Sequence, residues 1–350
     1  TCIRHNQNPV SKGPTTGSFL HINIKPKAYK PSGVGVMHDI FIIDGHCDTV
    51  EKIADLKANL YTGEKSHLSI HGLRKGGVRV QLFACWVGPK TRYYPCLQKG
   101  LKLIDAYYSM LETYSEVFHP VYDYDDIRHA LNNDKIAALL TVEGGDVLEG
   151  EITNLRILYR LGVRGLTLTW NHRNELADGV METRSCGGLS MFGYEVIKEM
   201  NKLGMLIDVS HLSEKGFYDV LEASTKPVAA THSNAFAVCR HPRNLKDEQI
   251  LALASKGGVI GINFYPEFLA EGRAGIKDII RHIEYLASLA GTNVIGFGSD
   301  FDGIDHLPDL IPGPEGFSLI INELLRLNYK EEDVRKIAYK NFLNLIKTIL

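Results

Sequence analysis

The chain's 350 residues, 44% hydrophobic and 23% charged, are ordinary for a globular protein and match the length of one α/β barrel. A formal net charge of −2 without a long basic run argues against a nucleic-acid partner, and no apolar run is long enough to span a membrane. The six cysteines lie far apart with no C-x-x-C pair, so they read as reduced thiols of a cytoplasmic protein, not as a disulfide framework.

Residues 1–36 hold Pro14, Pro26 and Pro31, several Gly and Ser, and little periodicity. They read as a leader or arm, and the absence of a continuous apolar stretch sets them apart from a secretory signal. From residue 37 to 350 the pattern is regular and reads as one domain. Short apolar runs recur at Ile40–Ile43, Val78–Val87, Ile136–Val142, Val163–Thr169, Met205–Val209, Val228–Thr231, Val259–Phe264 and Val294–Phe297. Segments of helical period separate them. The longest interval holds two, around Gly100–Phe118 and Tyr124–Asn132. Further helices are expected over Phe192–Leu203, after Ser213, over Lys246–Ala254 and Ile276–Leu289, and from Phe317 onward. About eight strands alternating with helices predict a single-domain (β/α)8 barrel, a TIM barrel, with C-terminal helices closing the ring. A doubly wound open sheet competes, but no G-x-G-x-x-G follows an early strand.

Chemistry in such barrels gathers at the carboxyl ends of the strands. Run one leads into Asp44-Gly45-His46 and Asp48, and run three ends in Glu143-Gly144-Gly145. Run five ends in Asp208-Val209-Ser210-His211, run six in Thr231-His232-Ser233-Asn234, and run eight in Ser299-Asp300-Phe301-Asp302-Gly303. Any one of these residues reads equally well as a cap or turn group. Imidazoles and carboxylates at five ends of one barrel point instead to a metal site. They are too many for one tetrahedral ion and suit a two-metal site with a bridging carboxylate. The remaining histidines, His67 and His282 among them, read as surface or partly buried groups, and His241 has no assigned role.

These motifs, together with Arg243-Asn244-Leu245, resemble the membrane (renal) dipeptidase family of amidohydrolase-like zinc barrels, in order from about Phe41 to the C-terminus. With no signal peptide or C-terminal anchor visible, the chain resembles the soluble bacterial members more than the lipid-anchored animal ones. The resemblance implies a zinc-dependent dipeptidase with two Zn2+ per chain, other divalent metals being alternatives. His46 and Asp48 would bind one ion, Glu143 would bridge, and His211 and His232 would complete the second. Asp300 would handle the proton, and Arg243 would bind the substrate's terminal carboxylate. It also implies a dipeptide substrate, tolerance of D-residues at its C-terminal position, and a homodimer, with no membrane or nucleic-acid partner. Where the animal enzymes carry a substrate-contacting His, this sequence has Trp170, with His172 two residues on. Tyr265 is expected to line the pocket. A metal-dependent amidase acting on N-acyl amino acids is the alternative, and a non-catalytic metal-binding barrel the distant one.

Overall fold

The computed structural model describes residues 40–88 and 95–350, so the leader expected over 1–36 lies outside the described residues. The strands are β1 (Ile42–Cys47), β2 (Val78–Trp86), β3 (Phe118–Val121), β4 (Ile136–Glu143), β5 (Gly165–Thr167), β6 (Leu206–Asp208), β7 (Ala229–Ala230), β8 (Val259–Ile262) and β9 (Ile295–Phe297). All pair in parallel. The ring runs β1, β2, β4, β5, β6, β7, β8 and β9, and closes where Asp44 faces Phe297. With helices between the strands this is the expected (β/α)8 barrel.

β3 is an addition. It pairs with Ile136–Leu139 on the same edge of β4 whose later residues, Thr141–Glu143, pair with β5. The sequence suggested a helix running to Phe118, but that helix spans Cys96–Thr113. Phe118 and Val121 find buried seats while His119 and Pro120 stay half-buried, and a proline is tolerated in so short an edge strand.

β1 also departs from expectation by reaching through His46 to Cys47. Asp44 faces Gln81 and Cys47 faces Phe83, so β1 takes three steps where β2 takes two. This bulge falls on Gly45 and His46, at the end of the strand where side chains must be aimed.

The expected helices are present over Met191–Leu203, Glu214–Ala223, Asp247–Ser255, Ile276–Ala290 and Gly316–Arg326. Ser190 caps the first by accepting from Gly193 N at 2.9 Å, and Ser213 caps the second from Gly216 N at 3.1 Å. Gly204, at φ 75°, ends the first in the left-handed conformation that glycine adopts without strain.

Alternate strand residues feed two apolar layers. Phe83, Cys85, Leu140, Val142 and Ile207 pack toward the helices. Ile43, Val80, Leu82, Ala137, Leu139 and Leu206 join Phe342, Leu345, Ile346 and Ile349 of the last helix, Asn341–Ile349, in a second cluster. A Cβ on Gly45 would stand 2.7 Å from Phe342 Cζ, and one on Gly296 2.5 Å from the same ring. Both positions therefore need glycine for the terminal helix to seat.

Candidate active site

The polar strand ends meet at one mouth. His46 Nε2 lies 3.3 Å from Asp48 Oδ2, 3.6 Å from Glu143 Oε2 and 4.0 Å from Asp300 Oδ1. His211 Nε2 lies 2.9 Å from Glu143 Oε1, and His232 Nε2 lies 3.5 Å from that same oxygen. Glu143 thus turns one oxygen to each group: His46, Asp48 and Asp300 on one side, His211 and His232 on the other. Either set of three, Glu143–His211–His232 or His46–Asp48–Asp300, has its donor atoms close enough to hold one ion.

The hydrogen bonding tests whether a metal fits. His211 Nδ1 faces Asn171 Oδ1 at 2.8 Å, an acceptor, so it carries that ring's proton. His232 Nδ1 lies 2.9 Å from Thr231 Oγ1, whose own proton goes to Asp208 Oδ2 at 2.6 Å, so Nδ1–H must donate. Both Nε2 atoms then present lone pairs, 2.8 Å apart, toward a carboxylate oxygen. Burial, reinforced by the Arg243 charge, lowers His211 to about 4. Burial and the charge of His46 hold His232 well below its usual value. Neutral rings with lone pairs converging on a carboxylate need a cation between them. On the other side, His46 Nε2 and Asp48 Oδ1 are buried without a hydrogen-bond partner, which is the same need in another form.

A family model described as membrane dipeptidase (peptidase family M19) matches residues 34–349. The chain belongs to the membrane dipeptidase family. It is 33% identical to an uncharacterized dipeptidase of Schizosaccharomyces pombe over 302 residues, which are 81% of this chain and 73% of the relative. Among solved structures it is similar to a metallopeptidase named dipeptidase AC, with a TM-score of 0.80 and 26% identity, covering 89% of this chain and 98% of that one. A Rhodobacter sphaeroides metallopeptidase liganded with a phosphinate mimic of the dipeptide L-Ala-D-Ala matches with a TM-score of 0.80 and 25% identity, covering 89% and 99%. Among the described residues of this dipeptidase no helix is long and apolar enough to cross a membrane.

Three of the candidate metal-binding groups, Asp48, Glu143 and His211, line a cavity of about 410 Å3 together with Asp300, Arg243, Trp170, Tyr265, Trp86, Asn171, His241 and Phe268. A larger cleft of about 620 Å3 lies on the far side of His211 and Arg243, and the carboxylates of the site do not reach it. Arg243 is buried, donates from Nη2 to the carbonyl of His232 at 3.1 Å and leaves Nε without a partner. Among the described residues no carboxylate pairs with it, so a buried guanidinium waits for an anion. Trp170 packs edge-on against Trp86 with ring centres 5.3 Å apart, and Tyr265 does the same with Phe268 at 4.8 Å. His172 is not brought into the cavity: its side chain is 59% exposed and faces Glu182 at 3.7 Å. The loop turns at Asn171, which spends its side chain on His211, so Trp170 alone fills the space for which His172 was a candidate.

Asp300 Oδ2 accepts from Asn263 Nδ2 at 2.8 Å. Burial raises its carboxyl to about 8, aided by the negative charges of Asp48 and Glu143 and opposed by His46. Burial likewise lifts Asp48 to about 6. Asp302 braces the neighbouring turn by accepting from Thr49 Oγ1 and Ser66 Oγ, each at 2.6 Å, and from His67 N at 2.7 Å. His211, Asp300 and Asp302 hold φ of 67°, 64° and 70°, a left-handed backbone that costs such residues energy and recurs at functional sites. Gly303 is tight for a different reason: a Cβ there would run into the carboxylates of Asp48 and Asp300.

Sequence reasoning missed Asn171, Trp86 and His282. The last is fully buried, accepts from Ala235 N at 3.1 Å and donates from Nε2 to Leu269 O at 3.1 Å, steadying the loop that follows His232. Its seat among Ile279, Ile280, Ile283 and Leu286 on one helix was the available signal.

Proposed function

We propose that this dipeptidase works with two divalent cations, zinc first among them, and cleaves dipeptides including those with a C-terminal D-residue. His46, Asp48 and Glu143 would hold one ion, and Glu143, His211 and His232 the other. The single observation carrying this reading is the division of Glu143, whose two oxygens face different clusters of buried donors. When bound, the pair of cations would make water in the site acidic enough to attack near neutral pH and would polarise the scissile carbonyl.

The chain's own residues supply the rest. Asp300, held by Asn263, takes the proton of the attacking water and returns it to the leaving amine, acting first as base and then as acid. Arg243 binds the terminal carboxylate through its free guanidinium edge. Trp86 and Trp170 wall the cavity and keep bulk water from the substrate. Tolerance of a D-residue rests on the ligand of the Rhodobacter sphaeroides neighbour, a mimic of L-Ala-D-Ala.

Elemental analysis and dipeptide hydrolysis, measured on one sample, test the reading. Purified protein should carry about two transition-metal ions per chain, lose hydrolysis on chelation and regain it with zinc. Undiminished turnover by fully demetallated protein would refute it.

A further inference from the structure

β6 delivers a carboxylate for which the reaction has no use. Asp208 is buried between the ends of β6 and β7 and receives four hydrogen bonds. Ser210 N and Thr231 N donate to Oδ1 at 2.9 Å each, and Thr167 Oγ1 and Thr231 Oγ1 donate to Oδ2 at 2.6 Å each. By proximity alone Asp208 would pass as a metal ligand, since its carboxylate lies near His46 and His232. Four donors already occupy its two oxygens, however, and leave it acceptor-saturated. What it controls is a proton one residue away. Thr231 has a single hydroxyl hydrogen, and at 2.6 Å Asp208 takes it. The same oxygen, 2.9 Å from His232 Nδ1, can then only accept.

We propose that Asp208 is a positioning residue that acts through the Thr231 hydroxyl to keep the His232 proton on Nδ1, leaving Nε2 as a metal-binding lone pair. The two backbone donors extend the effect. Ser210 N precedes His211 and Thr231 N precedes His232, so one carboxylate ties together the two strand ends that carry both rings. The inference rests on the metal assignment made under Proposed function and adds the residue that prepares the chain for it.

The polarity of this relay makes it testable. Asp208→Asn would present an N–H to Thr231, turn the hydroxyl toward His232 Nδ1 and move the ring proton to Nε2, where it blocks coordination. Thr231→Val removes the relay at nearly constant volume, and Thr231→Ser keeps it. Thr167→Val takes one donor from Asp208 but leaves the relay intact. Zinc affinity by chelator competition, the visible spectrum of the Co2+-loaded protein and thermal stability are measured on each. Loss of an outer partner of a ligating His costs about 10- to 100-fold in metal affinity, the loss expected for Thr231→Val at one of the two ions. Thr231→Ser should restore that affinity, Thr167→Val should keep it, and Asp208→Asn should lose more than Thr231→Val.

Wild-type affinity in Thr231→Val, or failure of Thr231→Ser to rescue, would overturn the proposal. So would loss of the ion in Asp208→Asn alone, which would make Asp208 a ligand in its own right. If Asp208→Asn does not fold, the Thr231 pair decides. Wild-type protein that binds no zinc at all would break the metal assignment instead, and is told apart by that control.

Discussion

On the Glu143–His211–His232 side of the mouth, each ring nitrogen turned away from the cluster has a protein partner, Asn171 Oδ1 at 2.8 Å or Thr231 Oγ1 at 2.9 Å. On the His46–Asp48–Asp300 side, His46 Nε2 and Asp48 Oδ1 have none, and burial pushes Asp48 to about 6 and Asp300 to about 8. One half is set by hydrogen bonds before any ligand arrives. The other crowds carboxylates around His46 in a buried space, where a bound cation would relieve their desolvation and mutual repulsion. Under the proposed mechanism the contrast would separate two tasks: the histidine half would orient, and the acidic half would carry the proton chemistry.

The largest effect should come from the residue common to both halves. Glu143→Ala is expected to lose both ions by elemental analysis and to abolish dipeptide hydrolysis, a greater loss than removal of any single proton carrier. Next comes the acidic half alone. Asp300→Asn should keep both ions while kcat falls about 10²–10⁴-fold in steady-state kinetics, the range for a lost general acid–base group. A variant that also lost its metals would show that Asp300 belongs to the coordination and would blur the division.

The histidine half is probed through His282. Burial lowers its folded pKa to about 4, against about 6.5 unfolded, so between these values the unfolded chain binds a proton that the folded one refuses. Stability therefore falls as pH drops from about 6.5 to about 4, by up to about 3 kcal/mol from this residue. Urea unfolding across that range should show a shallower decline in His282→Gln than in wild type. Smallest is Arg243→Lys, which keeps the charge and loses the fork. KM should rise about tenfold with kcat nearly unchanged, the cost of one charge-assisted hydrogen bond.

The grouping of His46, Asp48, Glu143, His211, His232 and Asp300 at one mouth was legible because strand ends announce themselves: an apolar run that stops at His, Asp or Glu states both where the residue sits and which rim it faces. The sequence carried less where local pattern and tertiary demand diverge. Phe118 looked like the tail of a helix and the three residues after it were given no element, because a four-residue strand has too few alternations to register. Sequence allows His172 to reach the space at Trp170, but the loop commits Asn171 to His211 and turns His172 out to Glu182. Asp208 stood in plain view within its motif, yet its role depends on where a threonine sends one hydrogen, and no spacing encodes that.

Phe342 ties the far end of the barrel to this chemistry. Its ring rests on Gly45, the residue immediately before His46, and on Gly296 of the neighbouring strand. Phe342, from the helix Asn341–Ile349, thus backs the strand residue just before His46, as a cork seated from below would. Crowding Gly45 with a single methyl would press on the Phe342 ring and displace the backbone that carries His46, away from anything a substrate meets.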